Sequence, residues 1–134
     1  MVKQSLFFTL MRVVVGIIFL AHGIDKLESG LDNISSWFGS VGLPPFLAFL
    51  VAYVEMLGGA ALIVGLGSRW AAIAFAVIMV GAIVTVKLPA GLLGDGKSAG
   101  YEIDLALLTA SLYIAANPRL GYGLGQLFDN GGKA

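Results

Sequence analysis

FLAFLVAYVEMLGGAALIVGLGSRWAAIAFAVIMVGAIVTV, residues 46–86, decides the fold. Two apolar runs, each close to the roughly 20 residues a helix needs to cross a bilayer, are separated by the turn Gly67, Ser68, Arg69. Gly67 suits the end of one helix and Ser68 the N-cap of the next, so the two runs must form an antiparallel hairpin. Pro44 and Pro45 mark the start of the first run, as prolines do at helix N-termini. Near the middle of that run sits one carboxylate, Glu55. An ionised group at the centre of a span costs about 2.5–3.5 kcal/mol even on the lowest scales, so Glu55 must face other helices.

Working outward, hydropathy places four spans at residues 6–24, 46–66, 70–86 and 101–116. The composition agrees: of 134 residues, 58% are hydrophobic and 12% charged, against roughly 45–50% and 25% in soluble domains. The first run is long, contains Arg12 and lacks a small-residue cleavage site, so it reads as a retained span rather than a signal peptide. The last is 16 residues with Glu102 and Asp104 in its first turn, and it spans only as part of a bundle; Asn117 and Pro118 end it.

The connection from Asp25 to Pro45 carries Leu31, Ile34, Phe38 and Val41 at helical spacing beside Trp37, which predicts a short helix lying on the membrane with Trp37 at headgroup depth. The connection from Leu88 to Gly100 is glycine-rich and reads as an ordinary polar loop. Residues 1–118 therefore form one transmembrane domain and residues 119–134 a polar tail. Lys3, Arg69, Arg119 and Lys133 fall on one side, against Lys26, Lys87 and Lys97 on the other, which puts both termini in the cytoplasm.

Charge and cysteine content exclude several functions. With 8 basic and 8 acidic residues and no like-charge run, nothing offers a nucleic-acid surface. The absence of cysteine excludes disulfides, thiol relays, iron–sulfur clusters and thiolate zinc within this chain. His22 is the single histidine, so no metal site is expected, and any redox chemistry needs a borrowed cofactor. No nucleotide loop or nucleophile triad is present.

The candidate site residues are the charges within or at the rim of the spans. Arg12 and Glu55 are the deepest, and rise per residue puts them about 6 Å apart in depth, a gap that a guanidinium arm can close. They are expected to form a buried pair that either fixes helix register or polarises a bound carbonyl. His22 and Lys26, four residues apart, share a helix face, with Asp25 beside them; Lys87, Glu102 and Asp104 reach the same rim. Together these groups suggest the polar mouth of a pocket, in which His22 can donate or accept a hydrogen bond. Gly16, Gly58, Gly59 and Gly81 allow close helix packing, and Gly58 and Gly59 also leave room beside Glu55 for a flat ligand. Tyr53 is a further hydrogen-bond donor near Glu55, although two residues apart on a helix they point to different faces.

Arg12, Gly16, Phe19, His22, Gly23 and Lys26, then Trp37, Phe38, Gly42, Leu43 and Pro44, then Glu55, Gly58, Gly59 and Gly65–Gly67, form a pattern that resembles the DoxX/DoxD family of small four-helix membrane proteins. Val86, Lys87 and Leu88, with Ala99, Gly100, Tyr101, Glu102, Asp104 and Leu105, resemble its CatD-like oxidoreductase subset. The resemblance implies a bacterial plasma-membrane, multi-pass protein associated with quinone-linked redox chemistry.

The expected fold is all-α: an integral membrane, antiparallel four-helix bundle with a short interfacial helix between the first and second spans. The expected function is an oxidoreductase component that binds a quinone or small phenolic compound. In it Arg12 and Glu55 form a buried electrostatic floor that binds the cofactor together with Tyr53 and Lys87, while the catalytic groups are His22 and Lys26, which contact a quinone oxygen, and Glu102 with Asp104, which pass protons. Its partners would be the lipid bilayer, the quinone, a soluble redox enzyme and a second copy of the chain. Two alternatives use the same residues: a non-enzymatic partner that docks a redox enzyme, and a small transporter or lipid-binding module.

Overall fold

A computed structural model describes residues 2–97 and 99–125. Helices α1 (Val2–Ser29), α2 (Leu31–Ser40), α3 (Leu47–Val64), α4 (Ser68–Ala82) and α5 (Glu102–Ala116) follow in order, and no strand occurs among the described residues. A π-helical stretch, Ile83–Lys87, and a 3₁₀ turn, Leu88–Ala90, continue α4. Three helical segments are long and apolar enough to cross a membrane: Val2–Ser29, Leu47–Val64 and Ser68–Ala90. Helix α5, at 15 residues, is shorter than these.

The interior positions recur at alternating steps of three and four. On α3 they are Ala48, Ala52, Glu55, Gly59 and Leu62; on α5 they are Asp104, Leu107, Ser111 and Ile114. This spacing makes a narrow seam, of the kind two helices share when they cross at a shallow angle. Helix α1 packs along α3, α4 along α5, and α3 against α4, with α1 also meeting α5 and α2 lying across α1 and α3. At the centre Phe19 of α1 stacks on Phe75 of α4, ring centroids 3.8 Å apart and planes 10° from parallel.

Small residues set the α1–α3 distance. A Cβ on Gly16 would lie 2.7 Å from the Gly59 carbonyl oxygen, and one on Gly59 would lie 2.7 Å from the Gly16 carbonyl oxygen, so the two backbones touch. Without a hydrophobic drive between helices in lipid, such close van der Waals approach is a principal source of association. Gly58 serves α4 instead, because a Cβ there would lie 2.6 Å from Cζ of Phe75. The space expected beside Glu55 for a flat ligand is therefore filled by the Phe75 ring and by the α1 backbone.

The α3–α4 hairpin forms as expected, with different roles for its residues. Gly65, in the left-handed region at φ 75°, ends α3, and Gly65 and Leu66 donate their backbone N–H groups to the Ala61 carbonyl. Gly67, also left-handed at φ 64°, precedes α4, while Ser68 is its first residue and is buried. The 91–101 connection folds back on itself: Tyr101 donates to the Gly91 carbonyl and Glu102 to that of Leu92. The chain after α5 also returns to the bundle, where Leu124 and Gly125 donate to the carbonyls of Val64 and Gly65. Residues 126–134 lie outside the described residues.

Candidate functional site

Two ion pairs join separate helices toward the end of the molecule where α1 finishes and α5 begins. Lys26 Nζ of α1 lies 2.6 Å from Glu55 Oε1 of α3, with Glu55 2% and Lys26 21% exposed. Lys87 Nζ, the last residue of the π-helical stretch, lies 2.9 Å from Asp104 Oδ2 of α5, which is 9% exposed. Each carboxylate lies on its helix's interior seam, and each lysine that meets it is partly exposed, 21% for Lys26 and 30% for Lys87. Charges in the interior of a membrane protein are expected to be paired in this manner.

The expected Arg12–Glu55 pair is replaced by this arrangement. Arg12 is buried, as expected, but its Nε donates to the Leu62 carbonyl and its Nη2 to the Tyr122 carbonyl, both at 2.7 Å. Two physical causes account for the difference. With Gly16 against Gly59 in antiparallel register, Glu55 is level with Leu20, about 12 Å along the axis from Arg12. Side chains also lean toward a helix's N-terminus, so the Arg12 arm leads away from Glu55 while the Lys26 arm leads back to it. Arg12 also lies deeper than expected, because α1 runs on to Ser29, five residues beyond the expected end of the span.

Arg12 thus acts as a clip. Leu62 lies in the last turn of α3, where carbonyls lack intrahelical donors, and a guanidinium is a suitable substitute. The same side chain ties down the segment after α5, where the Tyr122 N–H donates to Thr9 Oγ1 at 2.8 Å.

The remaining candidates occupy the rim. His22 is exposed, and its Nδ1 donates to the Ile18 carbonyl at 2.9 Å, which leaves Nε2 directed elsewhere. The imidazole is within electrostatic range of Glu55. Glu102 and Asp25 are exposed, and Tyr53, 47% exposed, sits on the outer side of α3 rather than beside Glu55. Among the described residues no group of three or more histidine or carboxylate side chains could hold a metal ion. The structure therefore brings Lys26 to Glu55 and Lys87 to Asp104, and leaves His22 and Glu102 flanking them.

A signal for the first pair was present in the sequence. Phe8, Arg12, Val15, Phe19, Gly23 and Lys26 form one stripe of threes and fours along α1, so Lys26 shares the face of Arg12. The role of π-helical geometry in placing Lys87 had no such signal. A wide turn of this kind is uncommon and tends to occur where a side chain has a task.

The chain is 41% identical over 106 residues, 79% of its length and 75% of the relative's, to the Bacillus subtilis (strain 168) protein named "putative oxidoreductase CatD". It is 34% identical over 113 residues, 77% of its length and 69% of the relative's, to an uncharacterised membrane protein of Mycobacterium tuberculosis. No solved structure matches it. The DoxX family model matches residues 7–88, which contain Arg12, the Gly16–Gly59 contact, the Lys26–Glu55 pair and Lys87, and the chain is a membrane protein of the DoxX family.

Proposed function

We propose that this protein is a membrane oxidoreductase component that receives a quinone or small phenolic head group at the rim formed by His22, Lys26, Glu55, Lys87 and Asp104. The observation that carries the reading is the Lys26–Glu55 pair: a carboxylate 2% exposed and a lysine that bridges it to the rim, beside an exposed histidine. A quinone carbonyl needs a hydrogen-bond donor, and its reduction to the quinol takes two electrons and two protons. In this reading the electrons come from a partner redox protein, and the chain supplies position and protons.

His22 is suited to the exchange. Its Nδ1 is committed to the Ile18 carbonyl, so a neutral ring presents Nε2 as acceptor to a quinol hydroxyl and a protonated ring presents it as donor to a quinone carbonyl. Lys26, poised between Glu55 and the rim, adds positive charge where negative charge develops on the quinone oxygen. Lys87 and Asp104 form the second wall, and Glu102 at the mouth exchanges protons with water.

The proposed setting is a bacterial plasma membrane. Helix α5 completes a four-span bundle, α2 lies at the membrane surface with Trp37 at headgroup depth, and both termini face the cytoplasm. Purified chain in lipid nanodiscs, titrated with a short-chain benzoquinone, tests the site. His22→Phe is expected to weaken binding roughly tenfold, the equivalent of one hydrogen bond of about 1.5 kcal/mol, without loss of helicity. Equal binding by the variant would remove His22 from the site, and no binding by the unaltered chain would reject the reading.

A further inference from the structure

At the opposite end of the molecule lies a cleft of about 410 Å³, lined by Arg12, Ser68, Arg69, Trp70, Pro118 and Arg119 among others. It lies within the volume range of small-molecule sites. No acidic residue lines it among the described residues. Arg12 is 4% exposed, and with Nε and Nη2 bound to carbonyls its Nη1 makes no hydrogen bond among the described residues. Arg69 is exposed and is in no ion pair among the described residues. The first turn of α4 borders the same space, and its backbone N–H groups add partial positive charge.

We infer that this cleft binds the phosphate of an anionic phospholipid. A phosphate group matches guanidinium donors held beside free backbone N–H groups. The source is fixed by position: α4 begins a segment long and apolar enough to span, so its first residues stand at headgroup depth. Trp70, 71% exposed on that first turn, is the residue type that anchors at this interface, and Leu66, 44% exposed, flanks the cleft with apolar surface for acyl chains. The site is remote from the His22 rim, so its fate is independent of the quinone reading.

The full chain in phosphatidylcholine nanodiscs doped with phosphatidylglycerol provides the test, with retained lipid measured by native mass spectrometry. Phosphatidylglycerol is expected to be enriched over phosphatidylcholine, and Arg69→Gln is expected to reduce that enrichment about fivefold. Lys3→Gln removes the same charge from the same end outside the cleft, and enrichment is expected to survive it. Absence of enrichment, or equal loss in both variants, would overturn the site. Displacement of phosphatidylglycerol by millimolar inorganic phosphate would overturn the lipid assignment and indicate a soluble phosphate instead.

Discussion

Arg12, Lys26 and Glu55 carry most of the residue-scale argument, because each is a charge removed from water whose partner decides its cost. Lys26→Met leaves Glu55 uncompensated in the interior and is expected to lower stability by about 3–5 kcal/mol. The double variant Lys26→Met, Glu55→Leu is expected to recover most of that loss, since an apolar pair has nothing left to desolvate. Denaturant unfolding in detergent micelles measures both. Arg12→Leu removes two charge-assisted bonds to backbone carbonyls and is expected to cost about 3 kcal/mol or more. Glu55→Gln should give Arg12→Leu no relief, since Arg12 bonds the C-terminal end of α3 at Leu62 while Glu55, about two turns earlier, pairs with Lys26. Rescue in that double-mutant cycle would contradict the geometry.

At the scale of elements, backbone contact between α1 and α3 is the decisive feature. Gly59→Leu would drive a side chain into Gly16 and Leu20, forcing the helices apart, and is expected to destabilise by about 1–3 kcal/mol or more. Gly81→Ala, with nothing within 4 Å of the added carbon, is expected to be neutral or slightly stabilising in the same unfolding assay. The π-helical stretch offers a second test. Deleting Val84 removes its extra residue and rotates Lys87 by about 100° relative to the preceding helix, breaking its pair with Asp104. Asp104→Asn should then have little further effect on stability, whereas in the unaltered chain it is destabilising.

For the whole molecule, the proposed four-span topology places both ends of the chain on one side. Lys3→Cys and Asn117→Cys are expected to react with a membrane-impermeant thiol reagent only from the cytoplasmic face, and Asn33→Cys only from the outer face. The chain has no native cysteine to confuse the readout. Labelling of Asn117→Cys from outside would reverse α5 and end the four-span reading.

Much of the architecture was legible before folding. The apolar runs at residues 46–66 and 70–86 and the turn between them predict the hairpin that α3 and α4 form, because helix length and burial in lipid follow from local composition. Burial of Glu55 and Arg12 was legible for the same reason, and so was the helix at Leu31–Ser40. The boundaries of α1 and the docking of the segment after α5 were not, since both depend on which distant groups need partners. By itself, then, the sequence determined that this is a helical membrane protein of the DoxX pattern with charges turned inward, as the cost of ions in hydrocarbon requires. Only the tertiary structure decided that Glu55 takes Lys26 and Arg12 takes the end of α3, because partner choice follows from the Gly16–Gly59 register and the N-terminal lean of side chains, and not from depth along the chain.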